Sequence, residues 1–158
     1  MTRKTTVTAP EGQQGLTITR DFDLPVALLF RAYTEPAIIE QWMGTRVLKQ
    51  ENRPHGGWQF ETTDPQGQVV FRAHGVIHEF VPERKITRTF EMANAAFGVQ
   101  LEFLEFEPLT ATTSRLTIYS VYRSVASRDQ MLRLPFAQGI NLAHNRLQAV
   151  FTRSDLAL

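Results

Sequence analysis

Six runs of alternating apolar and polar residues follow one another at 45–52, 58–62, 69–80, 85–92, 99–107 and 114–122, and one long helical stripe follows them. That order constrains the fold more than any other feature of the chain. Period-two alternation describes strands with one face buried. Short reversals at His55-Gly56-Gly57, Asp64-Pro65-Gln66-Gly67 and Pro82-Glu83-Arg84 join neighbouring runs, so the strands are expected to pair as an antiparallel meander. Ala73 and Gly75 are small enough to let the longest run bend. Residues 94–98 read as a loop, and 108–113 lack a short turn signature.

An earlier alternating run, 16–22, precedes two short helical patterns. The first carries Val26, Leu29, Phe30 and Tyr33, with Asp23 as its expected cap and Pro25 near its first turn. The second starts around Thr34-Glu35-Pro36-Ala37, carries Ile38, Ile39 and Trp42, and ends at Gly44. The closing stripe is Phe136, Ile140, Ala143, Leu147, Val150 and Phe151, with Gln138, Asn141, Asn145 and Gln148 opposite. The fold class is therefore α+β: a curved antiparallel sheet whose apolar face is covered by a long C-terminal helix. Residues 1–15 are expected to be a flexible segment and 16–153 a single domain.

Composition narrows the function classes. A chain of 158 residues with 42% hydrophobic and 21% charged residues can bury a sizeable core. Its net charge of +1 gives no electrostatic reason to expect nucleic acid or an anionic membrane as partner. There is no cysteine, which excludes disulfides, thiolate catalysis and cysteine metal sites. No apolar run approaches the ~20 residues of a membrane span, so no membrane insertion is expected. The first fifteen residues lack the apolar core of a signal peptide, and the expected location is cytoplasmic.

Specific chemistries find little support. His74 and His78 share a strand face but lie about 13 Å apart at ~3.3 Å per residue, too far to hold one ion together. No serine has a nucleophile-elbow context. Gly56-Gly57 lacks the length and the lysine of a phosphate loop, so turn geometry and close packing explain it better. No metal or cofactor is expected. Glu105 shares parity with Leu101 and Phe103. Facing a cavity it would be an acid with a raised pKa, but the simpler reading is an exposed or ion-paired residue.

An ordered series of segments carries a family resemblance. It runs through Ile18-Thr19-Arg20-Asp21-Phe22-Asp23-Leu24-Pro25, Phe30-Arg31-Ala32-Tyr33-Thr34-Glu35-Pro36 and Trp42-Met43-Gly44. It continues through Pro54-His55-Gly56-Gly57-Trp58-Gln59-Phe60, Gly75-Val76-Ile77-His78-Glu79-Phe80, Pro82-Glu83-Arg84-Lys85-Ile86 and Thr113-Ser114-Arg115-Leu116-Thr117. Over residues 16–152 the chain resembles domains homologous to the activator of the Hsp90 ATPase, in the Bet v 1/START-like (SRPBCC) superfamily. The resemblance implies a helix-grip fold, often with an apolar cavity between sheet and helix. Its members include ligand carriers, polyketide cyclases, stress proteins and a co-chaperone domain. One departure stands out: relatives commonly place a Gly-Trp pair early in the final helix, where this chain has Gly139-Ile140. Ile140 leaves either more cavity volume or a repacked interior. Pro135, just upstream, either opens that helix or kinks it.

The parity of the strands supplies a candidate lining. Trp58 and Phe60 share one face, as do Phe71, Ala73, Gly75 and Ile77, and Ile86, Arg88 and Phe90. Leu101 and Phe103 are expected to continue the set, with Tyr119 or Tyr122 adding a hydroxyl, and Phe136 and Ile140 facing them from the helix. Trp42, Met43 and Phe97 are candidates for the cavity mouth or, alternatively, a homodimer contact. An inward Arg88 needs an anionic partner, either a ligand or Glu102 or Glu105. The leading expectation is binding of a small hydrophobic or aromatic molecule with one polar or acidic group. A cyclase- or dehydratase-like enzyme using Arg88, Tyr119 or Glu105 is one alternative, and a chaperone-ATPase regulator is another.

Overall fold

The computed structural model describes residues 3–93, 95 and 97–152; positions 94 and 96 of the expected loop, and residue 153 of the expected domain, lie outside it. Eight strands form one antiparallel sheet: β1 (Thr6–Thr8), β2 (Gly15–Phe22), β3 (Arg46–Gln50), β4 (Gly57–Thr63), β5 (Val69–Val81), β6 (Lys85–Met92), β7 (Val99–Pro108) and β8 (Ser114–Val121). Their spatial order is β1-β2-β8-β7-β6-β5-β4-β3. β3 to β8 form the expected meander, and β2 closes onto β8. Helices α1 (Val26–Thr34) and α2 (Pro36–Met43) lie between β2 and β3, and α3 (Val125–Leu132) and α4 (Phe136–Thr152) follow the sheet. The concave face and the helices together make the curved-sheet, helix-grip architecture.

Local chemistry places the turns. Asp64 Oδ1 accepts from the backbone N–H groups of Gln66 and Gln68, both at 2.9 Å, while Gly67 takes φ 82°. Two backbone bonds complete the reversal, Gly67 N–H donating to the Asp64 carbonyl at 2.9 Å and Asp64 N–H to the Gln68 carbonyl at 2.8 Å. A Cβ on Gly56 would strike the Glu51 carbonyl, and Ile77 N–H donates to the Gly56 carbonyl at 2.8 Å. Close approach, not phosphate binding, is what this glycine supplies. Pro36 opens α2 and Gly44, at φ 63°, ends it.

Three local expectations need correcting, and one open alternative is decided. Asp23 does not cap α1: Pro25 holds that position, and Asp23 accepts from Arg3 at 3.1 Å while its N–H donates to Gln148 at 2.8 Å. Part of the supposedly flexible 1–15 segment is a strand. Thr6–Thr8 pairs with Thr19–Thr17, and Thr5 is tied to α4 through Asn141 Oδ1 (2.9 Å) and His144 Nδ1 (2.7 Å). Three residues are too few for a periodic signal, so only the partners on α4 make the segment visible. α3 was not expected either. It has no continuous stripe, and Ser124 caps it by accepting from Ser127 N–H at 3.0 Å. Finally, Pro135 opens α4 rather than kinking it, its carbonyl accepting from Gly139 N–H at 3.0 Å.

Candidate functional site

Antiparallel register fixes which side chains meet on the concave face. On β7 the inward residues are Gln100, Glu102, Leu104 and Phe106, flanked by Arg88 on β6 and Ser120 on β8. Arg88 stands opposite Glu102, which stands opposite Ser120, which stands opposite Leu16. One step along, Phe90 stands opposite Gln100. Two polar rows thus cross the inner surface among its apolar residues.

These groups bond to one another. Arg88 Nε donates to Glu102 Oε1 at 3.0 Å, both side chains being about nine-tenths buried. Gln100 Nε2 donates to the other carboxylate oxygen at 3.1 Å. The Arg88 guanidinium lies 4.8 Å from the centre of the Trp58 ring, a cation–π contact in a sheltered place. Trp58 itself is held by its indole N–H, which donates to the Thr89 carbonyl at 3.2 Å. Gly75 makes that possible, because a Cβ there would collide with the Thr89 carbonyl and lie 2.6 Å from the Trp58 nitrogen. Tyr122, just past β8, buries its hydroxyl beside Gln100 and finds no hydrogen-bond partner among the described residues. Burial pushes its ionisation above that of a free phenol, the Glu102 charge adds to the effect, and the neighbouring Gln100 amide, whose approach falls short of a hydrogen bond of standard geometry, opposes it. Tyr122 is therefore a proton donor at any physiological pH.

Tyr33 marks where this region ends. Its ionisation is raised by burial, with the Arg88 charge acting against this and the Glu102 charge with it. Its hydroxyl faces His144 Nε2 at 3.3 Å, and its ring packs against Trp42 and Phe106. Beyond it the interior is a dense aromatic core. His144 there is fully buried, and its imidazole is pushed down to about 3, chiefly by burial and then by the Arg20 charge.

The helix α4 spans both regions. Gln148 bonds at Asp23, His144 packs on Phe22, and Asn141 bonds to Arg20. Carried back at about 1.5 Å per residue, this alignment sets Phe136 and Ile140 toward the Leu16 end of β2, the end whose row carries Glu102 and Arg88. Leu147, Val150 and Phe151 are buried, whereas Phe136, Ile140 and Ala143 are only half-buried.

Of the expected lining, Trp58 and Phe60 are buried on the concave face, and Phe71, Arg88 and Phe90 face the same way. Leu101, Phe103 and Tyr119 do not. They occupy the convex face, where the rings of Phe103 and Tyr119 stack with centres 6.2 Å apart and Tyr119 is 45% exposed. β7 carries large apolar residues at both parities, so alternation alone could not choose its inner face. Arg88 could: its cross-strand neighbour is Glu102, which turns Glu105 outward to an exposed position. Trp42 is buried among the helices, its indole donating to the Ala32 carbonyl at 2.7 Å, and Phe97 is buried too. Neither supplies the exposed aromatic on which a mouth or dimer contact was expected. Sequence reasoning offers Glu102 as a partner for Arg88 but not as lining, and it does not single out Gln100. Tyr122, one of two possible hydroxyl sources, is the inward one.

Elsewhere, a hollow of about 670 Å³ is lined by Arg3, Asp21, Asp23 and Arg115 among others. Its carboxylates already pair with its arginines, Asp21 with Arg115 at 2.7 Å and Asp23 with Arg3 at 3.1 Å, in solvent-exposed surroundings. That leaves little for a ligand to gain. Among the described residues no helix is long and apolar enough to cross a membrane.

Comparison with known proteins bears on the whole chain. A family model described as Activator of Hsp90 ATPase homolog 1-like protein matches residues 23–152. Protein Ms6760 from Mycobacterium smegmatis has a similar crystal structure, with TM-score 0.83 and 22% identity over 95% of this chain and 98% of that one. A Rhodobacter sphaeroides protein gives TM-score 0.84 at 19% identity, covering 94% and 99%. An Arthrobacter aurescens protein, solved in solution, gives 0.84 at 20% identity, covering 97% and 94%. No curated protein matches the sequence.

Proposed function

The chain belongs to the Activator of Hsp90 ATPase homolog 1-like family, and from that premise we propose that it binds a small hydrophobic or aromatic molecule between the concave sheet and the first turns of α4. The observation that carries this reading is the uneven filling of the interior. Phe71, Phe90, Met92, Phe136 and Ile140 all belong to the inner layer, yet all remain half-buried. A few polar groups set among aromatics are what a mainly apolar pocket uses to orient its occupant. Affinity would come from burial, at roughly 25 cal/mol per Å² of apolar area before ordering costs.

A catalytic version of this reading has lost two of its three expected residues, since Tyr119 and Glu105 lie on the convex face. The family description names a chaperone activator, but the polar rows inside the sheet favour a small-molecule role here.

The test uses N-phenyl-1-naphthylamine, an uncharged probe that brightens in apolar sites. The native chain is expected to bind it with micromolar affinity. Ile140→Trp, which fills the region beneath the first turns of α4, should weaken binding at least tenfold without lowering the thermal midpoint. Absence of probe binding, together with no retained molecule in native mass spectrometry of protein from its own host, would end the proposal.

A further inference from the structure

The polar rows also say what kind of polar group an occupant must carry, a deduction that rests on the binding reading above. Arg88 and Glu102 form a nearly buried pair whose charges cancel. Both oxygens of Glu102 are engaged, one by Arg88 and one by Gln100. A bound carboxylate would place a second negative charge close to Glu102 in a region sheltered from water, where like charges repel strongly. Around this pair the donors left over are the Tyr122 hydroxyl, which makes no hydrogen bond of standard geometry, and the two terminal nitrogens of Arg88, which binds Glu102 through Nε. Tyr33 is no rival, because its hydroxyl is already taken up with His144.

We propose that the occupant's polar group is an uncharged oxygen acceptor, of the ketone or quinone carbonyl type, held by the Tyr122 hydroxyl, and that carboxylates are rejected by Glu102. A carbonyl oxygen accepts from a neutral phenol and from an already neutralised arginine without adding charge. It also satisfies a buried hydroxyl that otherwise stands unpaired. This replaces the acidic group expected from Arg88 alone, because Glu102 already answers that arginine.

Three matched probes separate the possibilities: 2-acetylnaphthalene, 2-naphthoate and 2-ethylnaphthalene, each displacing N-phenyl-1-naphthylamine at pH 7.5. The ketone is expected to bind at least tenfold more tightly than the carboxylate. Tyr122→Phe should weaken the ketone about 3- to 10-fold, the size of one net hydrogen bond, and leave 2-ethylnaphthalene within about twofold. Glu102→Gln should raise the affinity for 2-naphthoate about tenfold, a gain that mere structural damage would not produce. If Glu102→Gln does not fold, the wild-type and Tyr122→Phe comparisons decide alone. Equal or tighter binding of 2-naphthoate by the native chain overturns the assignment, as does an equal loss of ketone and hydrocarbon in Tyr122→Phe. Failure of all three probes where N-phenyl-1-naphthylamine also fails to bind defeats the underlying binding reading, and the assignment with it.

Discussion

The two ends of the interior are built from similar materials and behave as opposites. At the end under the last turns of α4, Phe22, Phe30, Tyr33, Trp42, Phe106 and Leu147 are buried, with rings meeting at 5.0–6.3 Å. His144 there is bonded on both ring nitrogens, and Arg20 lies buried over the Phe22 ring. At the other end the helix contributes half-buried Phe136 and Ile140, and the sheet contributes an ion pair and an unpartnered hydroxyl. The same sheet and the same helix thus make a core at one end and a receptive surface at the other. Stability and recognition are separated along a single helix.

The strongest test of that separation is a pair of truncations. Leu147→Ala, at the closed end, should cost about 2–5 kcal/mol, while Ile140→Ala should cost less than about 1 kcal/mol, because a half-buried site leaves little cavity. Equal losses in urea denaturation would erase the distinction. Next in size is the ion pair. Arg88→Leu strands Glu102 and should cost about 3 kcal/mol, whereas replacing both residues by leucine should recover much of the loss, since a buried pair contributes little net stability.

Acid acts on the closed end. An unfolded histidine takes a proton below about 6.5, while His144 in the folded protein resists until about 3. Its contribution is therefore undiminished above pH 6.5 and lost as the pH falls. The slope is about 1.4 kcal/mol per unit, or about 2 kcal/mol between pH 6.5 and 5. His144→Asn should flatten that part of the stability profile; an unchanged slope would show that the imidazole is not held neutral. The smallest effect belongs to Tyr122→Phe. Removing an unpaired buried hydroxyl should leave stability unchanged or raise it by up to about 1 kcal/mol. A clear loss of thermal midpoint would mean that Tyr122 is structural.

How much of this was legible depended on whether a strand's two faces differ. On β4, Trp58 and Phe60 alternate with polar residues, and their inward direction could be read directly. On β7, Leu101 and Phe103 compete with Leu104 and Phe106, and only the register with β6 settles which pair points in. That error carried Tyr119 with it, because Tyr119 stands opposite Phe103. Gln100 and Glu102 were overlooked as lining because alternation arguments sort polar residues outward. The clue was chemical: a buried arginine needs a carboxylate across the strand. The tie between Thr5 and His144 spans 139 positions, and no local pattern encodes such a contact.

The strand order has a kinetic side. β3 to β8 are each adjacent to their sequence neighbours and can form as successive hairpins, but β2 finds its partner β8 only after the whole meander is in place. β1 and the middle of α4 depend in turn on β2 and on each other. Non-local pairings of this kind impose a large loop-closure cost before any contact repays it. The docking of the β1–β2 ribbon onto β8 is thus the expected slow step of folding. Until it occurs, the exposed edge of β8 is the place where a folding chain would pair with the wrong strand.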